Sequence, residues 1–455
     1  MTPKLGIDRF AIVFLALGLA AAPASAALGI FGNANVDDTI NELDIDYVRG
    51  IIDGRYEKTD LADANRDGVI DEEDIAQIEA IIKGEEKVLW ILDGNGEPVA
   101  VHKPVERIVV EYLDNAELVH ILGSVDKVVG VEIAVAMSEV QFPELSTRQN
   151  VGRMSEPDYE AVLSVNPDIL LTFSPMNIKT KATNLPGVDV IFLGLYYPDL
   201  LNIDECRFTD GVMKLGYILD AEDRAKEYVD WRLGWIDLIR SRTENLADEE
   251  KPKVLISSYQ NFDTGGTVRT YSKMDTLTQM SILAGGKNLA EDLPDFFGTS
   301  YRIEVDPEWV IEEDPEIIVL HSVSITYGGA VYRPANGFDT NDPTEMREAR
   351  EDFMNNAAMS EVSAVKSGNV YLQAGSFRND ATGGLIGAAY MAKAFHPDIF
   401  EDLDPEIIFQ EYLDRFAGHN YNLDEQGIFF YPPIVKGKGQ LAGIPDRYYE
   451  SLVLA

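Results

Sequence analysis

Two kinds of hydrophobic spacing alternate along this chain. Short apolar runs rich in Val, Ile and Leu stand at positions 108–111, 128–131, 169–173 and 188–193, and again at 254–257, 317–321 and 370–373. Unbroken runs of this length predict strands of parallel sheets, buried on both faces. Between them apolar residues recur at three- and four-residue steps, the spacing of helices that cover such sheets. Ahead of them, apolar residues at 89–92 and 99–101 flank Asp93-Gly94-Asn95-Gly96, the signature of a hairpin. The pattern predicts an α/β fold.

One long helical pattern divides this alternation. Over positions 220–249, Ala225, Val229, Ile236 and Ile239 form one apolar stripe with Tyr228 and Leu233 beside it, and no Pro interrupts it. Asp220 is the expected N-cap, and Arg240 and Arg242 suit the negative C-terminal end. On either side of it a phrase is repeated. Asp158-Tyr159-Glu160-Ala161-Val162-Leu163-Ser164-Val165-Asn166-Pro167-Asp168 is answered by Asp306-Pro307-Glu308-Trp309-Val310-Ile311-Glu312-Glu313-Asp314-Pro315-Glu316, without a gap (158 to 306, a spacing of 148). Each copy reads as a short capped helix, a Pro that stops it and a buried strand. Two α/β lobes of related build, joined by a helix, follow.

The motifs around these repeats carry a family resemblance. Pro104-Val105-Glu106-Arg107-Ile108-Val109-Val110, Leu122-Gly123-Ser124-Val125-Asp126-Lys127-Val128-Val129-Gly130-Val131 and Val151-Gly152 stand in one order with Ala284-Gly285-Gly286-Lys287-Asn288, the 364–371 stretch and Tyr390-Met391-Ala392-Lys393-Ala394-Phe395-His396-Pro397. Over positions 88–418 the chain resembles the solute-binding proteins of ABC importers for iron complexes and cobalamin. That resemblance implies two Rossmann-like lobes, a ligand cleft between them and a rigid helical hinge. It also implies that Glu160 and Glu308, at equal places in the two repeats, meet arginines of a membrane permease.

The N-terminal region reads differently. Lys4, Arg9, an apolar stretch at 10–22 and Ala24-Ser25-Ala26 form a secretory signal, with no Cys after the cleavage site to carry a lipid. Next, Asp63, Asn65, Asp67, Asp71 and Asp74, with the Val69 carbonyl, occupy the ligand places of a calcium loop that turns at Gly68. The pattern recurs at Asn33, Asn35, Asp37, Thr39, Asn41 and Asp44 (33 to 63, a spacing of 30), with Asp38 in place of the turn Gly. Two such loops, each followed by one helix, resemble a dockerin, which implies Ca2+ as cofactor and a cohesin domain as partner. The expected layout is a signal at 1–26, the small all-α calcium-loop module at 27–87, the first lobe at 88–205, connecting helices at 206–250 and the second lobe at 251–455.

Charge and motif content narrow the function. With 78 Asp and Glu against 38 Lys and Arg the net charge is −40, which repels nucleic acid and makes a polyanionic partner improbable. The single cysteine, Cys206, allows no intramolecular disulfide. The chain carries no phosphate loop, dinucleotide fingerprint or nucleophile elbow, and no enzyme is expected. Ligands of open α/β sheets sit beyond the C-terminal ends of the strands. That rule selects Tyr112, Arg153 and Tyr196 in the first lobe and Tyr259, Tyr271, Arg302, His321 and Arg378 in the second, with Met154, Ser174, Tyr197, Arg269, Tyr301 and Phe377 beside them. Tyr and Arg together suit an anionic chelate with flat organic parts. The expectation is an exported binding protein that delivers an iron or cobalt chelate to an ABC permease. The rival is a dockerin-bearing cell-surface assembly protein with the binding fold as scaffold.

Overall fold

The computed structural model describes residues 27–195, 199–202, 207–262, 267–298, 300–323, 333–379, 381–418 and 420–453. The signal segment, Tyr196, Tyr197 and Cys206 lie outside them.

Two five-stranded sheets form the lobes. The first has the order Gln149–Asn150, Val128–Val131, Ile108–Val110, Ile169–Thr172, Asp189–Phe192, all parallel. The second runs Lys287–Asn288, Lys253–Ser258, Ile317–Ser322, Val370–Ala374 in parallel, and Phe430–Tyr431 closes it antiparallel. All seven expected apolar runs are strands, with ends shifted by a residue or so. Their side chains are buried on both faces, as covered parallel sheets require.

The repeat extends to hydrogen bonds. Positions 158–167 and 306–315 pass through exposed, half-buried and buried in the same order. Asn166 and Asp314 both take a left-handed conformation, with φ 45° and 46°. The backbone N–H of Arg107 donates to the Asp168 carboxylate at 2.8 Å, and that of Lys253 donates to the Glu316 carboxylate at 2.9 Å. Arg107 Nε reaches the Val165 carbonyl at 3.1 Å, and Lys253 Nζ reaches the Glu313 carbonyl at 3.0 Å. In each lobe a cation at the start of one strand thus ties down the C-terminal end of the short helix.

The hinge is shorter than its sequence pattern and has a partner. The long helix spans Glu222–Thr243, 22 residues, and packs against Arg207–Leu219. At about 1.5 Å per residue it is roughly 33 Å long. Asp220 does not cap it: its φ is +56°, Ala221 is the N-cap, and the Asp220 carboxylate pairs with Lys103. The turn between the two helices needs a left-handed residue, and Asp tolerates that conformation.

The N-terminal loops and their helices, Glu42–Ile52 and Glu72–Lys83, pack onto this hinge. Ile45, Val48, Ile75, Ile78 and Ile81 belong to the same buried cluster as Leu215, Ile218 and Tyr228 of the hinge helices. The Ile40 N–H donates to the Tyr217 hydroxyl at 3.0 Å, and the Gly29 N–H donates to Asp210 at 2.9 Å. Lys103, its side chain 3% exposed, joins Glu86 at 3.0 Å to the Asp220 turn. Replacing Lys103 by Met leaves the Glu86 carboxylate buried without its cation. Chemical denaturation is expected to register a loss of about 3–5 kcal/mol, and a loss below about 1 kcal/mol would mean that this contact does not hold the module to the hinge.

Candidate ligand cleft

The C-terminal ends of the strands of both lobes open on one cleft of about 450 Å³. From the first lobe Tyr112, Asp114, Met154 and Phe173 line it. From the second come Met274, Asp275, Thr276, Ser300, Tyr301, Arg302 and Arg378.

Tyr112 begins the helix Tyr112–Ile121 with φ +68°, a conformation that costs a non-Gly residue of order 1–3 kcal/mol. Its surroundings hold it there. Glu111, just before it, is buried and accepts from Lys181 Nζ at 2.6 Å and from the Thr172 hydroxyl at 2.8 Å. Burial pushes the Glu111 carboxyl up in spite of Lys181. The Tyr112 ring then lies 4.1 Å from that of Phe173, so the first lobe offers the cleft an aromatic wall.

The second lobe supplies charge. Arg378 clamps Asp275 with Nη2 to Oδ2 at 2.6 Å and Nε to Oδ1 at 3.1 Å. Asp275 also caps the helix Thr276–Leu283 by accepting from the Leu277 N–H at 3.0 Å. The guanidinium of Arg378 stands 5.5 Å from the Tyr271 ring centroid. Arg302 is exposed at the cleft.

The residues expected at the cleft separate into three groups. Tyr112, Arg302 and Arg378 line it, with Met154 and Tyr301. Tyr271 and His321, 3% and 2% exposed, are buried and are not among the residues that line it. His321 lies in the wholly buried strand Ile317–Ser322, and Tyr271 ends the strand Val268–Tyr271 of a separate two-stranded sheet. Arg153 is exposed on the Gly152–Arg153 strand outside the lining, and Tyr259 packs on the second lobe's core. Tyr196 lies outside the described residues. Strand ends gave no signal for Asp114 or Asp275, because one sits within the first turn of a helix and the other in a cap, and caps are ordinarily read as structure.

Glu160 and Glu308 are both exposed, each in the first turn of its short helix, Tyr159–Ser164 and Pro307–Glu313. The two loops near the N-terminus are also duplicates. The Asp44 carboxylate accepts from the N–H groups of Asn35 and Asn41 at 3.1 and 2.9 Å, and Asp74 accepts from those of Asn65 and Asp71 at 3.2 and 2.9 Å. They differ at the turn. Gly68, with φ +92°, donates to Asp63 at 3.0 Å, whereas Asn33 uses its amide nitrogen on the Leu28 and Asp37 carbonyls. The donors are oxygens throughout, the set a hard cation takes. Among the described residues no three His, Cys, Asp or Glu side chains converge on one point, so a cation would have to draw these oxygens together.

The sequence profile described as periplasmic binding protein matches residues 108–374, more than half of the chain. The chain belongs to the periplasmic binding protein family. Solved structures agree on the fold. The TroA-like periplasmic binding protein FepB from Veillonella parvula is 19% identical, with a TM-score of 0.58 over 75% of this chain and 98% of that one. The molybdate periplasmic binding protein MolA of Haemophilus influenzae, bound to molybdate, is 18% identical, with a TM-score of 0.56 over 73% and 99%. Helicobacter pylori CeuE with Ni(II) bound is 16% identical, with a TM-score of 0.51 over 73% and 97%. A search of curated protein sequences returns no match. Membership of the periplasmic binding protein family implies an extracytoplasmic place of work and a small-molecule ligand. Among the described residues no helix is long and apolar enough to cross a membrane.

His321 gives this periplasmic binding protein a measurable pH signature. Burial, with Arg378 nearby, lowers its pKa to about 3, while an unfolded imidazole titrates near 6.5. Between those values the unfolded chain binds the proton and the folded chain does not, so stability falls as pH drops from about 6.5. Replacing His321 by Asn is expected to flatten that slope by up to about 1.4 kcal/mol per pH unit in denaturation series. An unchanged slope would contradict the neutral buried state.

Proposed function

We propose that this protein is the exported solute-binding component of an ABC importer that captures a metal chelate, a ferric siderophore-type complex or a corrinoid or haem, and hands it to a membrane permease. The observation that carries the reading is the cleft itself. It lies at the strand ends of two duplicated lobes, with an aromatic wall on one side and guanidinium groups on the other. Ligand contacts from both lobes favour the closed form, and nothing in this task requires the chain to make or break a bond.

Native mass spectrometry with absorption spectroscopy tests it, on protein titrated with ferric siderophores, haem and cobinamide. One coloured complex of equal stoichiometry is expected, weakened about tenfold or more by Arg302→Ala. Absence of any complex would overturn the chelate reading.

Glu160 and Glu308 are the proposed permease contacts, since a two-lobed protein with one carboxylate at the same place on each lobe suits a partner with two matching cations. Glu160→Lys and Glu308→Lys are expected to leave chelate affinity within about twofold while stopping permease-coupled uptake. Uptake at the normal rate would remove these residues from the interface.

Calcium is proposed for the duplicated loops, with Asp63, Asn65, Asp67, Asp71 and Asp74 and the Val69 carbonyl in the second. In the first, Asn33, Asn35, Asp37, Asn41 and Asp44 and the Thr39 carbonyl would serve. A bound cation would replace several carboxylate repulsions by attraction and raise the melting temperature. Calorimetric titration with Ca2+ checks this, and no heat and no thermal shift would rule it out. A cohesin partner belongs to the rival assembly reading. The shared core of module and hinge favours a built-in part of the binding protein over a tethered plug.

A further inference from the structure

We propose that Asp114 selects the cargo by receiving a cationic N–H group of the bound molecule, such as a protonated amine, at the inner wall of the cleft. The inference rests on the chelate-binding reading and narrows the chemistry of what is bound. Asp114 lies in the first turn of the helix Tyr112–Ile121, is only 5% exposed and yet lines the cleft. Among the described residues its carboxylate has no ion-pair partner, and the one hydrogen bond to it comes from its own backbone amide. A nearly buried carboxylate left so costs free energy, and the cleft is the side from which a partner can come.

The surrounding charges leave that place open. Glu117 follows on the same helix, and its charge works against the Asp114 carboxylate instead of pairing with it. Arg378 faces Asp114 from the second lobe, but its fork is held by Asp275 at 2.6 and 3.1 Å. Arg302 reaches the cleft from its own strand, Arg302–Val305. With the Arg378 fork engaged by Asp275, the charged side chains of the lining left without an ion-pair partner of their own among the described residues are Asp114 on one lobe and Arg302 on the other. Such a cleft complements a zwitterionic cargo better than the anionic one that Tyr and Arg alone suggested. Burial, and next the charge of Glu117, push the Asp114 carboxyl well up, so in the empty cleft a proton competes for the place the cargo cation would take. The alternative is that Asp114 only complements the helix dipole; that role predicts no influence on cargo choice.

The test compares two ferric trihydroxamates with the same iron coordination: linear ferrioxamine B, which ends in a free ammonium, and macrocyclic ferrioxamine E, which has none. The readout is the ratio of their affinities. Wild type is expected to favour the ammonium-bearing complex by about tenfold or more, the scale of a charge-assisted contact, and Asp114→Asn to bring the ratio near one. The same ratio in wild type is expected to be full above the raised pKa of Asp114 and to collapse as pH falls through it. The ammonium stays charged throughout. That pH series decides the matter even where the variant folds poorly. No preference in wild type, or a preference that survives both the substitution and acid, overturns the inference while leaving the chelate reading intact. Failure of wild type to bind either ferrioxamine overturns the inference, and failure to bind haem and cobinamide as well overturns the chelate reading with it.

Discussion

A single buried carboxylate fixes how the two lobes meet. Glu117, on the helix that begins at the cleft, accepts from the backbone N–H groups of Ala381 and Thr382 at 2.7 and 3.0 Å. Thr382 is the N-cap of the second-lobe helix Gly383–Phe395 and Ala381 precedes it, at the end where the helix dipole favours an anion. On the same turn the Tyr228 hydroxyl of the hinge helix meets the Thr382 hydroxyl at 2.8 Å. First lobe, hinge and second lobe therefore share one small polar junction inside an apolar core. Buried groups of this kind are costly unless satisfied, so the junction admits few alternative arrangements. The cleft stands directly before it, with Asp114 one turn earlier on the Glu117 helix and Arg378 just ahead of Ala381.

The duplicated architecture explains why so little sequence suffices to build two walls. In each lobe a strand start, a short helix end and a strand are tied by the same two contacts, although Arg is replaced by Lys and Asp by Glu. The geometry survives these changes because each replacement preserves the charge and the reach of the group. What differs between the lobes is the chemistry placed on the frame: the tilted ring pair of Tyr112 and Phe173 on one side, a clamped Arg378 and Asp275 on the other.

The N-terminal loops follow the same logic on a smaller scale. Their hydrogen bonds repeat at a fixed spacing, yet Asn33 spends its amide on backbone carbonyls where Asp63 offers a second carboxylate oxygen. One loop is thereby less charged than the other while sharing its shape. Because the helices of both loops pack into the hinge core, any change in them is felt by the element about which the lobes are set.

The strands, the internal repeat, the hairpin, which pairs Val88–Leu92 antiparallel with Pro98–His102, and the two loops were legible in the sequence, since each depends on local spacing: apolar runs, a Pro at a fixed offset, oxygens at alternate positions. The family resemblance was legible for the same reason. The site was only partly so. Tyr112, Arg302 and Arg378 could be picked out by strand ends and residue type, but the burial of His321 and Tyr271 depended on what the rest of the second lobe packs against their strands. The Asp220 turn went the way of tertiary packing because Lys103, remote in sequence, claims its carboxylate. Asp114, Glu117 and Asp275 look like ordinary helix-start acids until the lobes are assembled. Only the fold decides that one ties the lobes, one clamps an arginine and one is left facing the cleft, because a carboxylate's role is set by which charges and amides are brought within reach of it, and those come from distant parts of the chain.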